Sequence, residues 1–151
     1  MIKFKSLLLI IFFFLITSCD YEPILKQKNY NFSVDVIETK GNSKINSIIK
    51  KNVERINGSE KKYLIYLNSS IEKKIISKDA KGDPSIIQLN ILVMYEVKDK
   101  NKILISDQIK NYSNYNNISD KFELKKYEDI LVENSAERLS ENIIASITTI
   151  R

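Results

Sequence analysis

The chain of 151 residues holds one cysteine, Cys19, and no histidine. Once Cys19 is accounted for, that rules out a disulfide, a Cys/His zinc site and the commonest general base. The formal charge of +5 falls to +3 when Lys3 and Lys5 of the leader are discounted, a mild excess that points weakly to anionic lipid or glycolipid and to no nucleic-acid partner.

At the N-terminus, Lys3 and Lys5 precede an apolar run of ten residues, Leu7 to Ile16. This is about half of the ~20 residues that a membrane-spanning helix needs, and it has the length of a secretory h-region. The run closes as Ile16-Thr17-Ser18-Cys19, which resembles a lipobox. An aliphatic residue and two small ones let a peptidase approach the scissile bond, and the thiol takes a diacylglyceryl group. Residues 1–18 are therefore expected to be a lipoprotein signal peptide, with Cys19 the lipidated first residue of the mature chain. An ordinary signal peptide or short anchor helix with an incidental cysteine is the bland alternative. It is disfavoured because the only cysteine falls at the h-region boundary. Two or three acyl chains at ~0.8 kcal/mol per buried methylene make a durable anchor, so the mature chain is expected to be held at a membrane.

Residues 19–30 are polar apart from the lipid cysteine and a few apolar residues, contain Pro23, and read as a lipidated tether. The remainder, 31–151, is long enough for one domain with one core. From Asn31 to Glu38, Phe32, Val34 and Val36 alternate with Ser33 and Asp35, the pattern of a half-buried strand. Thr39-Lys40-Gly41-Asn42 reads as a turn. Ile45, Ile48, Ile49, Val53 and Ile56 then recur at helical spacing, predicting a helix from about Ser43 to Asn57. Asn42 or Ser43 is placed to cap its start, and Gly58 stands where a C-terminal glycine belongs.

Lys61 to Ser70 is a second strand, with Tyr63, Ile65 and Leu67 on one face and Leu64 and Tyr66 on the other. It continues through Ile71 to Ile76 into a charged turn, Ser77 to Pro84. The third strand, Ile86 to Val97, alternates without a break, and Lys98-Asp99-Lys100-Asn101 is a hairpin turn to a fourth strand, about Lys102 to Tyr115. Asp120 with Glu123 three residues on fits a capping box. Behind it a single apolar stripe runs through Leu124, Tyr127, Leu131, Val132, Ala136, Leu139, Ile143, Ile147 and Ile150, with neither Pro nor Gly from Lys121 to Arg151.

The order β-α-β-β-β-α predicts an α+β domain: a four-stranded, mostly antiparallel sheet with two helices on one face. The other sheet face is expected to be mixed in polarity. With no His, no free Cys and no clustered carboxylates, neither catalysis nor a metal or other cofactor is expected.

Several of these residues resemble LptE, the lipopolysaccharide-assembly lipoprotein family. Cys19-Asp20-Tyr21-Glu22-Pro23-Ile24-Leu25 is similar to that family's mature start, Cys-Gly-aromatic-x-Pro-Leu-Tyr. Tyr95 and Val97 before the turn at Lys98, Tyr112-Ser113-Asn114-Tyr115-Asn116, Phe122 at a helix start and the 136–143 run fall in the family's order. The run Ala136-Glu137-Arg138-Leu139-Ser140-Glu141-Asn142-Ile143 stands where the family has Ala-x-x-Leu-Ala-x-x-Ile. The resemblance implies two helices on a four-stranded sheet, an outer-membrane anchor facing the periplasm, an LptD-like β-barrel as partner and lipopolysaccharide as ligand. The chain departs from the pattern at Asp20, where the family has Gly, and at Leu25, where the family has the Tyr that follows its Leu. Aspartate after the lipid cysteine retains lipoproteins at the inner membrane in enteric-type bacteria. The alternative is therefore a periplasmic lipoprotein subunit of a lipid-transport ABC system.

Lipopolysaccharide is polyanionic, so a binding surface needs cations beside apolar contacts. Lys73, Lys74, Lys78 and Lys81, around the second hairpin, are the candidate glycolipid-binding cluster. Lysines at a strand end also serve simply to keep an edge soluble.

Overall fold

A computed structural model of the chain describes residues 30–150. The expected signal peptide, Cys19 and nearly all of the tether lie outside the described residues. The elements are β1 (Phe32–Gly41), α1 (Ser43–Val53), β2 (Lys61–Lys78), β3 (Pro84–Asp99), β4 (Lys102–Asn116) and α2 (Lys121–Thr148). They form one sheet in the order β1-β2-β3-β4. The short turns make β2-β3 and β3-β4 antiparallel, while β1, returning through α1, pairs parallel with β2. This is the α+β arrangement that the sequence predicts.

Strand alternation sorts the side chains. Val34, Ile65, Leu67, Leu89, Ile91, Val93 and Val97 face the helices and are buried against Ile45, Ile49, Leu139, Ile143 and Ile147. Tyr63 and Tyr95 are also core, as their positions in the alternation require, and the Tyr95 hydroxyl hydrogen-bonds the Ser146 hydroxyl at 2.9 Å. Asn42 caps α1, its side-chain oxygen accepting from the Ile45 N–H at 3.1 Å. Asp120 caps α2, accepting from the N–H groups of Phe122 and Glu123. Each bond satisfies a donor that the helix itself leaves unpaired.

Three local expectations are corrected. Thr39 to Gly41 are not a turn; they extend β1 past an irregularity between Val36 and Glu38. Only at Gly41, with φ +86°, does the chain leave the strand. The first helix stops at Val53, four residues short of Asn57. Ile56 keeps helical spacing because it still dips into the core, but it does so from a turn closed by its N–H to the Val53 carbonyl at 3.2 Å. Gly58 therefore ends no helix. It lies against β1, its N–H donating to the Phe32 carbonyl at 2.8 Å, and an added Cβ would come within 2.2 Å of the Tyr30 carbonyl oxygen.

β1 enters beside Lys61, at the opposite end of β2 from the β2-β3 turn. The end at which the chain enters the domain and the end bearing the lysines are thus the two extremes of the sheet.

Candidate functional site

The four candidate lysines share one end of the sheet but not one face. Lys73, on the helix-facing side of β2, reaches Glu128 of α2, its Nζ 2.6 Å from Oε2. Lys74 follows on the opposite face, in register with Gln88 and through it with Asn114. Lys78 occupies the last rung, opposite Pro84. Lys81 lies in the turn itself, where the Asp79 carboxylate accepts from the backbone N–H groups of Lys81 and Asp83, both at 2.9 Å. Gly82 completes that turn at φ +90°.

Lys73 is thereby committed to an internal pair. Lys74, Lys78 and Lys81 make no ion pair among the described residues. Their apolar neighbours along the strands are Ile75 and Ile76, roughly half-exposed, and Ile86, partly buried. Cation and exposed aliphatic surface therefore alternate at the tip. An amphiphile with anionic groups needs that combination, since lysine meets phosphate as a point charge and a methylene-rich surface meets acyl chain.

The residue that sequence reasoning passed over is Glu128. It is buried, and its other oxygen accepts the Tyr115 hydroxyl. Burial by itself pushes a carboxylate up, but the bonds from Lys73 and Tyr115 outweigh it and hold Glu128 below its ordinary range. Tyr115 is raised, first by burial and then by its bond to this carboxylate. The signal was available: Glu128 stands four residues from both Leu124 and Val132, squarely on the buried stripe. Tyr127, by contrast, is about half-exposed and stacks obliquely on Tyr115 with ring centroids 6.2 Å apart.

The face of the sheet away from the helices is mixed, as expected. Its middle forms a shallow concavity of about 700 Å³ lined by Tyr66, Met94, Glu96, Lys98 and Gln108, among others. Lys98 lies over the Tyr66 ring at 4.1 Å and 3.1 Å from Glu96, so the charges here are already matched. Among the described residues there is no group of His, Cys, Asp and Glu able to hold a metal ion. No described helix is long and apolar enough to cross a membrane.

No protein-family model matches the chain, and no curated protein matches it in sequence. Solved structures do match in fold. The rare lipoprotein B of Shewanella oneidensis superposes with a TM-score of 0.59 at 12% identity, over 76% of this chain and 95% of that one. A lipoprotein B from Nitrosomonas europaea gives 0.55 at 14% identity, over 79% and 88%. The minor lipoprotein of Acinetobacter baumannii gives 0.50 at 12%, over 74% and 92%. The chain therefore has the lipoprotein B fold, which is the fold that the LptE resemblance implies.

Proposed function

We propose that this chain is a non-enzymatic, lipid-anchored outer-membrane lipoprotein that binds an LptD-like β-barrel and assists lipopolysaccharide assembly at the cell surface. One observation carries the reading: the lipoprotein B fold occurs here on a chain whose residues Ile16-Thr17-Ser18-Cys19 resemble a lipobox. The exposed cations and aliphatic side chains at the tip of β2 support work by binding. In this reading Lys74, Lys78 and Lys81 contact the anionic headgroup. Ile75, Ile76 and Ile86 contact acyl chain. Lys73 acts through Glu128 by holding β2 against α2.

Affinity capture of the lipidated protein, with mass spectrometry of what accompanies it, tests the proposal. A one-to-one complex with the barrel is expected, and depletion of the lipoprotein lowers both folded barrel and surface lipopolysaccharide. Asp20 favours a second reading, an inner-membrane subunit of a lipid-transport ABC system. Recovery of such a transporter, with lipopolysaccharide export intact after depletion, would establish that reading and refute the first.

A further inference from the structure

The edge strand β1 and the covering helix α2 both leave the far part of β2 unaccompanied. β1 pairs with β2 only as far as Gly41 opposite Ser69, where the left-handed Gly41 turns the chain into the cap of α1. β2 runs on for nine more residues, Ser70 to Lys78, still paired with β3 on its inner side. Along this stretch no strand lies on its outer side among the described residues. α2 packs over β3, β4 and α1, and its backbone keeps clear of β2. The result is a step in the molecule, walled by the start of α1 and open at the edge of β2.

The direction of the free backbone groups follows from one bond. The Ser69 carbonyl points outward, accepting the Asn42 N–H at 3.0 Å. Alternation then turns the N–H and C=O of Ile71, Lys73 and Ile75 outward as well, with their side chains on the helix face. Individual groups on the sheet's other edges are taken within the domain. The Phe32 carbonyl on β1 is taken by the Gly58 N–H, and the Val36 N–H by the Glu54 carboxylate at 3.0 Å. On β4 the Gln108 N–H is taken by the neighbouring Asp107 carboxylate. On β2 the residue that would guard the edge, Lys73, is folded back onto Glu128. Ile75 and Ile76 stay about half-exposed, where the β2-β3 register becomes irregular between Ile75 and Lys78.

We propose that the outer edge of β2 from Ser70 to Lys78 receives an extended segment of a partner protein as an added strand. Two properties define that segment. Its helix-side residues are apolar, because they continue the cross-strand rows Ile71–Ile91 and Ile75–Ile87–Tyr115. Its other face is acidic, because it meets Lys74 and the neighbouring Lys78 against the single acid Glu72. Main-chain bonds supply affinity and the alternating side chains supply selectivity. This inference does not depend on a barrel being the partner.

The test uses the full chain in detergent micelles and, as probe, a synthetic nine-residue peptide of alternating valine and glutamate. Amide exchange at Ile71, Lys73 and Ile75 is expected to slow when the peptide is added. Ile75→Pro removes one outward N–H without touching the β2-β3 ladder, and should weaken binding by about tenfold or more. Ile75→Lys keeps the N–H but sets a charge against the valine face; it should weaken binding similarly, and it decides the matter if the proline variant loses its fold. Unchanged exchange at saturating peptide, protection along β4 instead, or full binding by both variants overturns the proposal. Protection that appears with rising protein concentration and no peptide also overturns it, by assigning the edge to a second copy of the chain.

Discussion

Glu128 of α2 and Lys73 of β2, fifty-five positions apart in the chain, meet at 2.6 Å and are, among the described residues, the one ion pair joining the long helix to β2. The carboxylate is buried, whereas the ammonium is half in water. The pair is thus asymmetric: losing Lys73 strands a buried charge, whereas losing Glu128 releases a lysine that solvent can take.

Glu128 has a folded-state pKa below its ordinary 4.5. A depressed carboxylate contributes stability that is present above the ordinary value and is lost as pH falls through the folded value. Glu128→Gln is expected to cost about 1–2 kcal/mol at neutral pH, a figure kept low because water screens Lys73. The variant should also lose less stability than wild type on acidification below about pH 4.5. Chemical denaturation at pH 7 and pH 3 measures both effects.

The α2 stripe is core. Leu139 and Ile143 are 1% and 0% exposed, so Leu139→Asp or Ile143→Asp places an unpaired charge among aliphatic groups. A loss of several kcal/mol, of the order of the whole domain's stability, is expected. Near-wild-type melting of either variant, followed by circular dichroism, would show that the stripe does not pack on the sheet.

Two glycines of similar backbone angle separate strain from crowding. Gly41 has φ +86° and a Cβ there would sit 1.8 Å from the Ser69 carbonyl oxygen; Gly82 has φ +90° with open space around it. Gly82→Ala should cost about 1 kcal/mol, the left-handed penalty alone. Gly41→Ala should cost well above that, because backbone must move. Equal melting temperatures for the two variants would remove the distinction.

Cys19→Ala should abolish incorporation of labelled fatty acid and leave the precursor uncleaved by the lipoprotein signal peptidase. Labelling in cells, followed by electrophoresis, decides it. Retained label would mean that Cys19 is not the lipidation site.

Strand and helix identities were legible because the buried positions of β2, β3 and α2 follow periods of two and about 3.6 with few exceptions. The end of α1 was not, because Ile56 satisfies the helical period while reaching the core from a turn. The pattern records burial and is silent about the backbone that achieves it. Gly58 misled for a related reason, since close backbone approach and a helix end both call for glycine. The lysine cluster was legible as a region and not as a site. Alternation along β2 alone separates Lys73 from Lys74, but that Lys73 is spoken for depends on Glu128, which arrives from a distant part of the chain.

β2 spans 18 residues, which at ~3.3 Å per residue makes it nearly 60 Å long when straight and somewhat less when twisted. The chain enters the domain beside the first of these residues, and the turn of residues 79–83 that carries Lys81 lies beyond the last. The straight-strand length exceeds the ~40–45 Å thickness of an entire bilayer with its headgroups. Under the proposed anchoring at Cys19, the domain is a ruler with two admissible settings. Lying flat, it lets the entry point and the lysine tip touch the same membrane surface. Standing upright, it carries the tip well away from the headgroups around its base.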